Sequence, residues 1–327
     1  MRKDRILITG GSGFIGTNLV QYFLDKNLTL INVDIRQPLN CAHVPFWVQG
    51  DILDGSLMER LFFDFRPTAV IHMAARTDIA EKKSLDGYRV NIQGTKNILG
   101  CIEKTPSVRR VIITSSMLVC RLGYKPISDE DYVPPNLYGQ SKVLMEQIVR
   151  KFGLPCTWVI IRPTTVWGPW NLRYLDEFFA VLQKGYYLHP GNKSVIKTYG
   201  YVGNVVYQIH QFLNLPDEDV HGRTFYVGDS PIDLRKWVDK FSEGLYGKRV
   251  RIAPTWFLRC IAFAGDVVVS VGIPFPLTTF RLMNMITTHI LDVDATIKIT
   301  GPPPYTMDEG VRMTIEWLRK YQEARNL

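Results

Sequence analysis

The sequence predicts an α/β fold, a doubly wound parallel sheet with a smaller, mostly helical C-terminal domain. Three observations carry this. Short apolar runs alternate with helical periodicity through the first half, a glycine-rich turn joins the first run to the first helix, and the alternation stops after Arg162-Pro163. Alternating βα units of this length build parallel sheets with helices on both faces, and right-handed crossovers wind them in two directions. The first strand is Ile6-Leu7-Ile8; others are expected at Leu28–Val33, Phe46–Val48, Ala69–His72, Val111–Thr114 and Trp158–Arg162. Helices are expected at Ser56–Phe65, Tyr88–Glu103 and Tyr138–Phe152. Residues 1–165 then form a first domain, to which 197–228 returns a strand, Thr224–Val227. Residues 166–327 form a second, ending in helix Met307–Tyr321.

Bulk properties bound the function. A chain of 327 residues, 46% hydrophobic and 21% charged, can bury a large core and is ordinary for a globular protein. The net charge of +8 suits anionic ligands such as nucleotide diphosphates. No Lys/Arg run or aromatic-interleaved basic patch points to nucleic acid. Cys41, Cys101, Cys120, Cys156 and Cys260 are odd in number and scattered, which reads as free thiols in a reducing, cytoplasmic setting with no metal site. Met1 to Arg5 lead directly into the first strand, so no signal peptide is expected. Trp256 to Pro276 is the most apolar stretch, interrupted by Arg259, Asp266 and two prolines. It is expected as an amphipathic helix closing a substrate pocket rather than a membrane span, with membrane-surface contact as the alternative.

The glycine turn is the most informative segment. Gly10, Gly13 and Gly16 lie between the first strand and a helix beginning Phe14-Ile15. The first glycine allows the tight turn, the second lets backbone approach a pyrophosphate, and the third lets helix pack on strand. The helix N-terminus adds free N–H groups and partial positive charge. A dinucleotide is therefore expected here. Asp34, which ends the second strand and leads into Ile35-Arg36, suits the adenosine ribose and repels a 2′-phosphate. That favours NAD over NADP, although Arg36 offers a phosphate partner. Asp51 suits the adenine amino group, with Ile52 packing near the ring. Met73-Ala74-Ala75 are small enough for backbone to come close, while His72 before them is read as structural. Asn91 is placed where it can tie sheet strands together.

Tyr138 and Lys142 are four residues apart and share one face of a helix. A phenol titrates near pH 10, and an adjacent ammonium, helped by an oxidised nicotinamide, draws it toward neutrality. Ser116, just beyond Thr114 at the end of the fifth strand, can hydrogen-bond the same substrate oxygen. With the glycine turn upstream, these residues make a hydride-transfer site.

These stretches, together with Arg162-Pro163, Gly168-Pro169 and Thr314–Trp317, resemble the extended short-chain dehydrogenase/reductase family, and within it the NAD-dependent sugar-nucleotide epimerase/dehydratase branch. The resemblance spans essentially the whole chain. It implies a Rossmann-type domain, Tyr138 as general base, Lys142 as its modulator and ribose ligand, Ser116 on the reacting hydroxyl, and Asn91, Thr114, Arg162 and Pro163 among the residues beside the cofactor. It also implies a homodimer formed through Tyr88–Glu103 and Tyr138–Phe152. The 4,6-dehydratases of the family carry an Asp-Glu pair after the strand-end Ser/Thr; here Met117 and Leu118 stand there, which excludes dehydration. Cys120 is either an epimerisation base or a buried inert thiol. Lys197-Thr198 replaces the family's usual Arg-Asp, and Asn204 replaces an Asp. The implied activity is redox chemistry at a carbinol carbon, C4, of a nucleotide-linked sugar, as epimerase or as ketoreductase/dehydrogenase. The alternative is an oxidoreductase similar to 3β-hydroxysteroid dehydrogenases, taking a hydrophobic alcohol or ketone. A regulator that has lost catalysis is disfavoured because Ser116, Tyr138 and Lys142 are all present.

Overall fold

Six strands follow the sequence closely: β1 (Arg5–Thr9), β2 (Thr29–Asp34), β3 (Trp47–Gln49), β4 (Ala69–His72), β5 (Arg110–Thr114) and β6 (Thr157–Pro163). A seventh, β7 (Thr224–Val227), returns late in the chain and pairs with β6. All seven run parallel in the order β7-β6-β5-β4-β1-β2-β3. The computed structural model describes residues 4–326 apart from Ala80, Lys82 and Pro274; the expectation about a signal peptide falls on Met1–Lys3, outside the described residues.

Side chains alternate across the sheet, as the pleat requires. Ile6, Ile8, Ile71, Ile112 and Val159 face one core, while Leu7, Val70, Val111, Ile113 and Ile160 face the other. Helices α1 (Phe14–Asp25) and α5 (Val202–Asn214) cover the first face with Leu19, Phe23, Val205, Ile209 and Phe212. The helices α2 (Gly55–Phe65), α3 (Thr95–Glu103) and α4 (Leu137–Phe152) cover the second with Met58, Phe62, Leu99, Ile102, Met145 and Val149. Burial on both faces explains why the strands read as unbroken apolar runs.

The winding direction reverses between β1 and β4, and ligands in such sheets sit outside the strand ends at this switch point. Here the backbones nearly touch. Gly10 has φ +78°, and a Cβ on it would stand 2.6 Å from the Ala74 backbone nitrogen, so only glycine fits.

Two sequence expectations are corrected. The expected helix Tyr88–Glu103 is broken into a 3₁₀ turn at Leu85–Tyr88, a π turn at Val90–Gly94, and α3. The cause is Asn91: its amide both receives from and donates to the Arg76 backbone (2.8 and 3.1 Å) and donates to Ser141 Oγ at 2.9 Å, which widens the turn. The second concerns α7 (Thr255–Ser270), which follows α6 (Leu234–Tyr246) and precedes α8 (Thr279–Ile286). Its Leu258 and Ala262 pack on Leu282 of α8, but Trp256, Phe263 and Val267 are exposed. The helix therefore does not close a pocket with its apolar side.

Beyond β6 the core continues through an aromatic cluster. Trp167 meets Tyr201, Trp237 and Phe241 at ring separations of 5.1, 5.8 and 5.7 Å. This cluster also receives Val311 and Ile315 from α9 (Met307–Asn326) and is contiguous with the sheet core.

Candidate active site

The cofactor side is built on α1. Its cap residue Gly13 supplies no side chain, and no acid lies in the first turn, so the N–H groups of Phe14 and Ile15 face outward with the dipole's positive end unopposed. A Cβ on Gly13 would meet nothing closer than Gly10 O at 3.4 Å. Protein packing therefore does not demand this glycine; open space above the helix does. Gly16, by contrast, is jammed against the Gly10–Gly11 backbone. At the end of β2, Asp34 Oδ2 accepts from Ser12 N (3.1 Å) and Oδ1 from Arg36 N (2.9 Å), which fixes the carboxylate at the loop's rim. Ile35, Arg36 and Asp51 are exposed beside it, and Ile52 is buried under Gly94.

Behind the turn runs a buried chain of hydrogen bonds. Thr9 Oγ1 receives the Met73 and Ala74 N–H groups, both at 3.3 Å, and so donates to His72 Nδ1 at 2.7 Å. His72 Nε2 then donates to Thr95 Oγ1 (3.0 Å), which donates to Asn91 O (2.8 Å). The imidazole is thus one neutral tautomer. Burial, and secondly the charge of Lys142, lowers its pKa to about 3. Because the unfolded value is 6.5, this contribution to stability is complete above pH 6.5 and is lost as pH falls toward 3. Unfolding free energies from urea titrations between pH 7 and pH 4 should fall by up to ~1.4 kcal/mol per pH unit on this account. His72→Gln should flatten that slope; an equally steep variant would assign the acid sensitivity elsewhere.

At the carboxyl end of β5 the structure brings Ser116, Tyr138 and Lys142 together. Ser116 Oγ accepts from Leu118 N (3.1 Å), capping the short turn Met117–Val119, which leaves its hydrogen for the Tyr138 phenol. Asn136 caps α4 through Gly139 N at 2.9 Å and sets Tyr138 in the first turn, with its ring 6.1 Å from that of Tyr88. The Lys142 ammonium donates to the Thr114 carbonyl at 2.8 Å and lies 3.6 Å from Met145 Sδ. Burial lowers its pKa to about 8, against the pull of Glu146. The phenol departs from expectation. Burial raises its pKa to about 12, and only the hydrogen bond from Ser116 opposes this. The Lys142 charge is directed to Thr114, so the protein by itself does not draw the phenol toward neutrality. Cys120 is a buried thiol that donates to Asp131 O at 3.3 Å, with its pKa pushed up by burial; it is no base.

A family model described as the NAD dependent epimerase/dehydratase family matches residues 6–228. The chain belongs to this family. It is similar to the N-acetyl-alpha-D-glucosaminyl-diphospho-ditrans,octacis-undecaprenol 4-epimerase of Escherichia coli O157:H7, 26% identical over 326 residues, covering 96% of this chain and 95% of that one. It is also similar to the mouse sterol-4-alpha-carboxylate 3-dehydrogenase, 27% identical over 96% of this chain and 91% of that one. Among solved structures, a UDP-glucose 4-epimerase from Thermotoga maritima has the same fold, with TM-score 0.74 and 21% identity over 97% of this chain and 99% of that one.

As an epimerase/dehydratase family member the protein is an NAD-dependent enzyme, and its residues fit that cofactor. The open space at Gly13, the bare N-terminus of α1 and the carboxylate of Asp34 form one rim. Buried and unpartnered, Thr114 Oγ1 and Ser115 Oγ lie at the end of β5. Gly13→Ala tests the fit: folding stability should stay unchanged while NAD affinity, read by calorimetric titration, falls about tenfold, roughly 1.4 kcal/mol. Unchanged affinity would mean that no ligand comes close there.

Four residues read differently in three dimensions. Arg162 was expected beside the cofactor with Pro163. Its guanidinium is instead fully buried on Glu146 (2.9 and 2.7 Å) and on Asp129 O, stacked between the rings of Tyr132 and Tyr226. Asn91 likewise spends its amide on Arg76 and Ser141, making it a positioning residue for α4. Glu146 was missed altogether; its one signal was a place one turn beyond Lys142 on the same helix face. Lys197 gains importance. It is buried, meets no carboxylate among the described residues, and has its pKa lowered to about 8 by burial. Beside it, His289 accepts from Gly123 N at 3.0 Å, in the loop that leaves Ser116.

Proposed function

We propose that this enzyme carries out redox chemistry at the C4 carbinol of a sugar carried on a diphosphate, a nucleotide diphosphate sugar in the first instance, either oxidising and re-reducing it as a 4-epimerase or moving hydride one way as a ketoreductase/dehydrogenase. The observation that carries this reading is Lys197. A buried cation without an acid partner is costly unless an anion arrives, and a diphosphate is such an anion whereas a sterol alcohol is not. Full-length similarity to a 4-epimerase of a diphosphate-linked sugar supports it.

In this reading Tyr138 takes the proton of the sugar hydroxyl, and Ser116 donates to the same oxygen, steadying the negative charge that develops there. Lys142, anchored on Thr114 O, holds positive charge behind the phenol. When bound, the oxidised nicotinamide supplies the hydride acceptor and a further positive charge. The phenol, raised to about pKa 12 by burial, stays protonated and cannot accept a proton until the cofactor's positive charge is in place, which restrains proton loss without redox. With hydrophobic residues at Met117 and Leu118, no carboxylate follows Ser116 to expel a neighbouring hydroxyl. A homodimer through Tyr88–Glu103 and Tyr138–Phe152 and a cytoplasmic setting belong to this reading through the family resemblance.

Lys197→Met should raise KM for a diphosphate sugar ten- to hundredfold, as loss of a charged hydrogen bond does, with kcat little changed. Thermal shift with UDP-, GDP- and dTDP-sugars against a steroid panel separates the readings. Stabilisation by steroids alone would transfer the assignment to the hydrophobic alcohol, which similarity to the sterol dehydrogenase supports. NAD retained through purification would favour the epimerase, which must reuse its cofactor.

A further inference from the structure

Helix α7 is apolar except on one side, where Thr255, Arg259, Asp266 and Ser270 lie. Leu258, Ala262 and Gly265 form its buried face, against Leu282 and the loop at Phe275–Leu277. At about 100° per residue, Trp256, Cys260, Phe263 and Val267 fall within a span of about 60° on the opposite side. All four are exposed, Trp256 at 69% and Phe263 at 71%, and the stripe runs on into exposed Val271 and Ile273. A contiguous exposed apolar patch of this kind marks an interaction surface.

We propose that this stripe docks on an anionic lipid surface, with α7 lying in the plane of the headgroups. The helix has 16 residues, and no helix among the described residues is long and apolar enough to cross a membrane. Lying in the interface needs less: one apolar face with aromatic residues, flanked by cations. Arg259 borders the stripe, and Arg251 precedes the helix; both are exposed and neither has an acid partner among the described residues. The one acid of the helix, Asp266, is turned away to accept from Thr279 N at 3.0 Å. Charge and hydrophobicity thus match a negatively charged bilayer. The helix pair also adjoins the substrate side of the site, because α8 leads into His289, which holds the loop after Ser116.

The test is flotation of the full chain with phosphatidylcholine vesicles, with and without phosphatidylglycerol. The wild type should float with the anionic vesicles. Phe263→Asp with Val267→Asp should weaken binding tenfold or more, about the value of two buried apolar side chains. Arg251→Ala and Arg259→Ala should each weaken it about fivefold on anionic vesicles only. These positions are exposed, so thermal midpoints should not move. Binding is read without substrate, and its failure says nothing about the proposed reaction. A wild type that floats with neither vesicle overturns the proposal. So does a dimer in sedimentation that Phe263→Asp splits, since a second copy would then cover the stripe.

Discussion

Replacing Tyr138 with Phe should lower turnover by about 10²–10⁴-fold, the share a positioned general base contributes, and leave NAD affinity unchanged. The ring is buried against Tyr88, so phenylalanine keeps the packing and removes only the oxygen. That oxygen, bonded by Ser116, is the group proposed to receive the substrate proton. Single-turnover kinetics at saturating NAD isolate the step. A variant whose rate is unchanged would remove Tyr138 as the base and leave Ser116 without a role.

The second large effect is on stability. Glu146→Ala should cost about 3–5 kcal/mol, because it strands a buried guanidinium. Both side chains of the pair are fully buried, and Tyr132 also donates to Glu146 at 2.9 Å. Arg162 has no exposed side-chain surface through which solvent could replace the lost carboxylate. The melting temperature should drop by roughly 4–7 °C, because a chain of 327 residues has a large unfolding entropy. Adding Arg162→Leu should recover part of the loss, because the stranded charge goes with it. If the double variant is as unstable as the sum of the singles, the pair contributes no coupling. The same substitution removes the charge that opposes the burial-driven lowering of the Lys142 pKa, so any residual activity should shift its pH dependence to lower pH.

The Arg162–Glu146 pair marks where sequence reading ran out. Arg-Pro at a strand end looked like part of the cofactor site, and a glutamate on an amphipathic helix drew no reading. Neither burial nor pairing across 16 residues has a periodic signature. Asn91 is similar: its type suggested a tie, but only the fold shows that the tie runs to Arg76 and Ser141 and distorts a helix. The α7 segment erred in the other direction. Its apolar content was plain, yet a helix with two apolar faces has no single buried side to infer, and the structure leaves one face in water.

What the sequence determined by itself was local. The strand–glycine–helix order of residues 6–24, the apolar runs of the six strands and the four-residue spacing of Tyr138 and Lys142 all follow from periods of two and 3.6 residues and from the absent Cβ of glycine. The tertiary structure decided everything that depends on which distant segments share a low-dielectric interior. It pushed the Tyr138 phenol up to about 12 and the His72 imidazole down to about 3, paired Arg162 with Glu146, and left Lys197 buried without a counter-charge. Charges interact through the medium around them, and that medium exists only once the chain has folded.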